Sequence, residues 1–277
     1  MKIHLDGKLV DEADANVSVL DAGFQHGVGL FETLRTYGGR FFRLADHVVR
    51  IVNSAKELGL PWNLNPGELE QAIRSTVAAN KLPDARVRLT VTRGRLGGEG
   101  PPKPTIVVTA APIVPYPAEL YATGMATTVC DTRQNETDPL SRHKTLLYFP
   151  RLRALEEARK KGCGETLFFN TQKLLAEGAI SNVLLIKGDV LISPDDASGL
   201  LPGITRKVVL ELAGLAGLKT QLAPVTIQDV FAADEVFLTN SIMEVMPVVS
   251  VERHVVGDGK PGARTCALHG LYREAVG

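Results

Sequence analysis

The sequence predicts an α+β (mixed α/β) protein of two domains, a small N-terminal α/β domain and a larger domain built on a barrel-like sheet. Three observations predict it. The chain has 277 residues, enough for two compact domains. Short apolar strands are interleaved with few helices. A cluster at Pro112, Pro115 and Pro117 interrupts every regular pattern. Proline lacks an amide donor and stiffens the chain. The linker is therefore placed at 115–120, between a small domain over 1–114 and a large one over 121–277.

The elements follow in order. Leu5-Asp6-Gly7-Lys8-Leu9-Val10 reads as a hairpin turn between short strands. From Leu44 to Leu58, Leu44, Val48, Ile51, Val52, Ala55 and Leu58 fall on one helical face, and Gly59 ends the helix. Arg86 to Thr92 alternates, with Val87, Leu89 and Val91 on one side, as a half-buried strand does. Thr105 to Ala111 is a second strand of the same sheet. The segment between them, Arg93 to Pro102, is a glycine-rich loop. The first half thus reads as strands with one strong helix. Beyond the prolines come a helix from about Phe149 to Lys160 and strands at Thr166–Phe169, Val183–Ile186 and Val190–Ile192. A helix from Thr205 to Ala216 follows, then strands at Glu235–Thr239 and Pro247–Val251.

Composition narrows the function classes. Lys+Arg and Asp+Glu both number 31, so no net field attracts nucleic acid or an anionic membrane. The first residues have no apolar signal-peptide core, and no stretch approaches the ~18 apolar residues of a membrane span. Cys130, Cys163 and Cys266 are too few and too scattered for a disulfide framework or a cysteine zinc site. They read as reduced structural thiols, which places the chain in the cytoplasm. No P-loop, H-E-x-x-H or G-x-S-x-G is present, and no metal site is expected.

Four segments carry chemistry: Ser141-Arg142-His143-Lys144-Thr145-Leu146-Leu147-Tyr148, Ala176-Glu177-Gly178-Ala179-Ile180-Ser181-Asn182, Gly199-Leu200-Leu201-Pro202-Gly203-Ile204-Thr205-Arg206, and Thr239 to Pro247. Near the start stand Asp21 to Gly27, Phe31-Glu32-Thr33-Leu34-Arg35 and Asp46-His47-Val48-Val49-Arg50. In this order and spacing the chain resembles the class IV aminotransferases, the fold type IV enzymes of pyridoxal 5′-phosphate (PLP). That family includes branched-chain and D-amino acid aminotransferases, (R)-amine transaminases and 4-amino-4-deoxychorismate lyase.

The resemblance implies roles residue by residue. Lys144 matches the Schiff-base lysine, which can form an imine with an aldehyde and then act as a general base. Glu177 matches the carboxylate that faces the pyridine nitrogen and favours its protonated form. Arg50 matches the phosphate-binding arginine, with His47 beside it. Gly203, Ile204 and Thr205 match the phosphate site at a helix start, where unpaired amides and the helix dipole favour an anion. Ser241 completes that cup, Tyr148 stands near the cofactor's 3-hydroxyl, and Ser181 and Asn182 are placed on the cofactor. His143 reads as structural.

The reaction is less sharply specified. The D-amino acid aminotransferases carry an R-x-H carboxylate trap after the strand matching Arg86–Thr92, and here no histidine follows. The lyases often show R-G-x-G-G-R-G, and Arg93 to Gly100 is similar except that Glu99 replaces the second arginine. The expectation is a transaminase acting between an amino acid or amine and a 2-oxo acid. Arg93, Arg95 or Arg35 would hold the substrate carboxylate, with Phe31 lining the pocket. The alternative is aminodeoxychorismate lyase, which releases pyruvate and 4-aminobenzoate. A binding protein that had lost turnover would need neither Lys144 nor Glu177. The family implies a homodimer.

Overall fold

In a computed structural model, which describes residues 1–96 and 103–277, the chain forms two compact units. One comprises residues 1–114 and 143–148, the other residues 115–142 and 149–277.

The first unit contains β1 (Lys2–Leu5), β2 (Lys8–Asp11), α1 (Ala22–His26), β3 (Gly29–Tyr37), β4 (Arg40–Phe41), α2 (Leu44–Glu57), α3 (Pro66–Asn80), β5 (Ala85–Thr92) and β6 (Thr105–Pro112). Among the described residues its strands pair in the order β2-β1-β6-β5-β3-β4, antiparallel throughout. The β1–β2 turn places Asp6 and Gly7 at φ of +48° and +89°. This left-handed pair suits the twist of a two-residue hairpin and favours glycine at its second position. Helices α2 and α3 supply Val48, Ile51, Ile73 and Val77 to one buried cluster with Leu30, Leu34, Val87 and Leu89 of the sheet.

Helix α3 corrects the expectation of one strong helix. Its buried stripe is Leu69, Ala72, Ile73, Thr76 and Val77, too short in large apolar side chains to stand out. The start signal was local: the Asn65 side chain accepts from the amides of Gly67 and Glu68, and Pro66 occupies the first turn.

The second unit contains α4 (Ala118–Thr123), β7 (Met125–Val129), α5 (Phe149–Lys160), β8 (Glu165–Phe169), β9 (Leu175–Gly178), β10 (Asn182–Lys187), β11 (Val190–Pro194), α6 (Ile204–Leu212), β12 (Lys219–Ala223), α7 (Ile227–Ala232), β13 (Glu235–Asn240), β14 (Glu244–Val251), β15 (His254–Val255) and α8 (Ala263–Val276). Its sheet runs β12-β11-β10-β13-β14-β7-β8-β9, with β15 on β14. The β11–β12, β14–β7 and β7–β8 pairs are parallel. Helix α8 was not foreseen, because Thr265 and Tyr272 share its buried stripe with Leu268 and Val276.

Two observations bear on the domain expectations. The segment 115–120 is not a free linker: Tyr116 and Leu120 pack against the second unit's core, and α4 begins at Ala118. Lys144, expected in the large domain, belongs with the first unit. The reason is backbone pairing with β3, where the Phe31 amide donates to the Lys144 carbonyl at 2.9 Å and the Leu146 amide to the Gly29 carbonyl at 3.0 Å.

Candidate active site

In the first unit the candidate residues are placed by the alternation of β3. Successive side chains point to opposite faces, so Leu30, Glu32 and Leu34 face α2 while Phe31, Thr33 and Arg35 face away. Glu32 is fully buried at 1 % exposure, and α2 meets it with two side chains one turn apart. Arg50 donates from Nε to Oε1 and from Nη2 to Oε2, both at 2.7 Å. His47 places Nδ1 2.8 Å from Oε2. Burial alone would push the Glu32 carboxyl up, but the Arg50 charge and the His47 and Arg50 hydrogen bonds outweigh it and hold the group at about 2. Burial lowers His47 and outweighs the pull of Glu32, and the Arg50 and Lys144 charges push the same way as burial. At neutral pH the imidazole is therefore neutral and its Nδ1–H donates to the ionised carboxylate.

Lys144 lies on a segment pinned at both ends. His143 Nδ1 is 2.9 Å from Ser54 Oγ of α2, and Thr145 bridges Leu30. The ammonium stands 4.5 Å from the centre of the Phe31 ring and 5.4 Å from that of Tyr148. Those rings meet edge to face at 5.2 Å. A second cation shares Phe31: the Arg88 guanidinium carbon lies 3.9 Å from the ring centre. Burial and the nearby Arg86 charge hold Arg88 below the usual arginine value, against the pull of Tyr148. Arg35 stacks on Tyr37 at 4.0 Å opposite Arg86 in the strand register. Arg93 and Arg95 are exposed; Glu99 and the rest of the glycine-rich loop from 97 to 102 lie outside the described residues.

In the second unit Glu177 sits on β9. Its Oε1 accepts from Arg151 Nη2 at 2.5 Å, and its Oε2 from the Leu201 amide at 3.1 Å. Ser181 donates its hydroxyl to Glu165 Oε2 at 2.8 Å. Asn182 donates to the Leu201 carbonyl at 2.8 Å, which fixes the turn that opens α6. A β-carbon on Gly203 would run into Asn182 Oδ1, so the turn favours glycine while Asn182 keeps its bond to Leu201. Among the described residues no side chain caps α6, and the amides of Ile204 and Thr205 in its first turn lack intrahelical partners. Such a cradle suits a phosphate. Ser241 lies on a turn built by Asn240, whose Oδ1 accepts from the amides of Ile242 and Met243 at 2.9 and 2.7 Å.

Several residues were missed. Glu32 stood inside a motif, and a lone carboxylate in an apolar strand was its signal. Arg88 was legible from the alternation of β5, which sets it against Val87 and Leu89. Glu165 left no signal. It is fully buried, and its carboxylate accepts from the amides of Thr166, Ala179 and Ile180 at 3.0, 3.1 and 3.2 Å as well as from Ser181. Burial pushes its carboxyl up, while these four donors favour the anion. Glu165→Gln turns an NH2 toward two of the donors and is expected to cost roughly 2–4 kcal/mol. A shift of the urea unfolding midpoint at constant m checks it.

The first unit thus offers a lysine amine beside two aromatic rings, and the second offers a glycine-entered helix start suited to an anion. The class that such groups serve, a PLP-dependent enzyme, is the one the family shows. The chain belongs to the class IV aminotransferase family: the family pattern described as amino-transferase class IV matches residues 29–251. It is 35% identical to a putative branched-chain-amino-acid aminotransferase of Methanocaldococcus jannaschii, over 99% of this chain and 96% of that protein. It is 30% identical to an aminodeoxychorismate lyase of Bacillus subtilis, over 99% and 94%. The branched-chain amino acid aminotransferase of Thermobaculum terrenum, solved in its PLP-form, superposes with a TM-score of 0.89 at 29% identity, covering 99% of this chain and 93% of that one. The fold is that of the fold type IV enzymes and the cofactor is PLP. Among the described residues no helix is long and apolar enough to cross a membrane.

Proposed function

We propose that this chain is a transaminase that moves an amino group between an amino acid, or a related amine, and a 2-oxo acid through a Schiff base on Lys144. The observation that carries the reading is the pair of cations on Phe31: Lys144 at 4.5 Å and Arg88 at 3.9 Å from one ring centre. An amino acid presents a carboxylate one carbon away from its amine. A guanidinium beside the reacting lysine is placed to hold that carboxylate. When bound, PLP supplies the electron sink that makes the α-proton removable.

The chain's own residues do the rest. Lys144 Nζ would hold the cofactor's carbonyl carbon and, once the substrate amine displaces it, would move the proton at the substrate's α-carbon. The Phe31 and Tyr148 rings shield one side of that amine from water. Glu177 supplies an anion for the ring nitrogen, and Gly203, Ile204, Thr205, Ser241 and Arg50 supply the phosphate contacts. The Glu32 carboxylate fixes the Arg50 fork. Ser181 and Asn182 support the cofactor from the turns they hold. A homodimer and a cytoplasmic setting complete the reading; three free cysteines suit a reducing compartment.

The test is a half-reaction. PLP-loaded protein is mixed with D- or L-alanine, glutamate or leucine without a 2-oxo acid, and the cofactor absorption is followed. Conversion to the pyridoxamine form with one enantiomer is expected. The Bacillus subtilis relative keeps lyase as the second reading. No conversion, together with pyruvate release from aminodeoxychorismate, would establish it instead.

The carboxylate anchor has its own measurement. Arg88→Ala is expected to raise KM for the amino acid about 10- to 100-fold with kcat within a few-fold, the mark of lost uniform binding. The same kinetics on Arg35→Ala, Arg93→Ala and Arg95→Ala compare the other candidates. A larger KM effect from any of them would move the anchor there.

A further inference from the structure

We infer that Arg151 is a positioning residue for the Glu177 carboxylate, holding it as an oriented anion for the cofactor's ring nitrogen. The inference rests on the proposed assignment of Glu177 to that nitrogen. Arg151 lies in the first turn of α5, and no role was expected of it from the sequence.

Its guanidinium gathers the Glu177 segment from two directions. Nη2 donates to Glu177 Oε1 at 2.5 Å and to Gln134 Oε1 at 3.2 Å. Nη1 donates to the carbonyl of Gly178 at 3.2 Å, the residue that follows the glutamate. The Glu177 side chain is 5 % exposed and that of Arg151 21 %. A carboxylate this buried is costly to keep ionised without a cation. Gln134 is also tied, through its Nε2, to the Gly199 carbonyl. Glu177 Oε2 accepts from the Leu201 amide. The two carboxylate oxygens are thus fixed from α5 on one side and from the turn before α6 on the other.

The arrangement has two consequences. With each oxygen accepting one hydrogen bond, lone pairs remain for a ring N–H, so Arg151 orients the carboxylate without saturating it. The guanidinium also places a fixed positive charge against the carboxylate face opposite to the one left for the ring. A fixed, ionised partner is what a ring nitrogen needs if it is to stay protonated while charge builds on the ring.

The test uses the full-length protein reconstituted with ¹⁵N-labelled PLP. Its readouts are the ring-nitrogen resonance and the PLP dissociation constant of the apoprotein. Arg151→Gln is expected to weaken PLP about tenfold and to move the resonance in the direction that Glu177→Gln moves it. In a Glu177→Gln background the same substitution is expected to change neither, since the two side chains act as one unit. Arg151→Lys, which keeps the buried charge, covers the case in which Arg151→Gln does not fold. It is expected to leave the nitrogen protonated but to weaken PLP.

Equal effects of Arg151→Gln with and without Glu177 would overturn the inference, since a packing role predicts that result. So would wild-type affinity and resonance in both Arg151 variants. If Glu177→Gln itself leaves the resonance and the affinity unchanged, the assignment of Glu177 falls and the inference falls with it. That outcome is distinguishable because it needs no Arg151 variant.

Discussion

Lys144→Ala is expected to lower turnover by roughly four or more orders of magnitude, because it removes the amine proposed both to bond the cofactor and to carry the proton. The cofactor's imine absorption band should vanish with it. The fold should survive. What holds Lys144 in place is its backbone carbonyl, which accepts from the Phe31 amide at 2.9 Å, and alanine keeps that bond. An unchanged urea midpoint would therefore separate lost chemistry from lost structure. Retained turnover in Lys144→Ala would remove the lysine from the mechanism altogether.

The second large effect is on stability, at Glu32. Its carboxyl is held at about 2 in the folded chain, against an ordinary value of 4.5. A depressed carboxyl contributes stability above its unfolded value and loses it as pH falls through its folded value. The difference corresponds to about 3 kcal/mol, present at neutral pH and lost progressively between pH 4.5 and about 2. Glu32→Gln is expected to lower unfolding free energy by about that amount at pH 7, since it leaves Arg50 and His47 without their anion. Urea titrations of both proteins at pH 7, 5 and 3 should show a gap that narrows only below pH 4.5. A gap independent of pH would mean that packing, not charge, makes Glu32 matter. Because Arg50 is proposed to contact the cofactor phosphate, the variant should also bind PLP less tightly.

The elements read from the chain are those whose signal lies within one window. Helix α2 carries five of its buried residues as Leu44, Val48, Ile51, Val52 and Ala55, and β5 alternates without a break. Helices α3 and α8 escaped because alanine, threonine and tyrosine share their buried stripes with leucine, isoleucine and valine, which thins the hydropathy pattern. A boundary near residue 114 was an expectation drawn from the prolines. The return of 143–148 to the first unit was not, since it depends on a strand more than a hundred residues upstream.

The candidate site divides along the same line. Lys144, Glu177 and the Gly203–Thr205 turn were visible because motif residues keep their types and order along the chain. That order was enough for the family, the fold class and the cofactor. Tertiary structure decided the partners. Arg50 is locked to Glu32 across 18 residues, Arg151 reaches Glu177 across 26, and Glu165 gathers a turn 14 to 16 residues away. Arg88 joined Lys144 only when two distant segments came to share Phe31. The sequence by itself determined which chemical groups are present and in what local conformation they start. Which of them are buried, and which charge each must face, was decided by tertiary structure, because desolvation and ion pairing depend on distances through space that chain spacing does not specify.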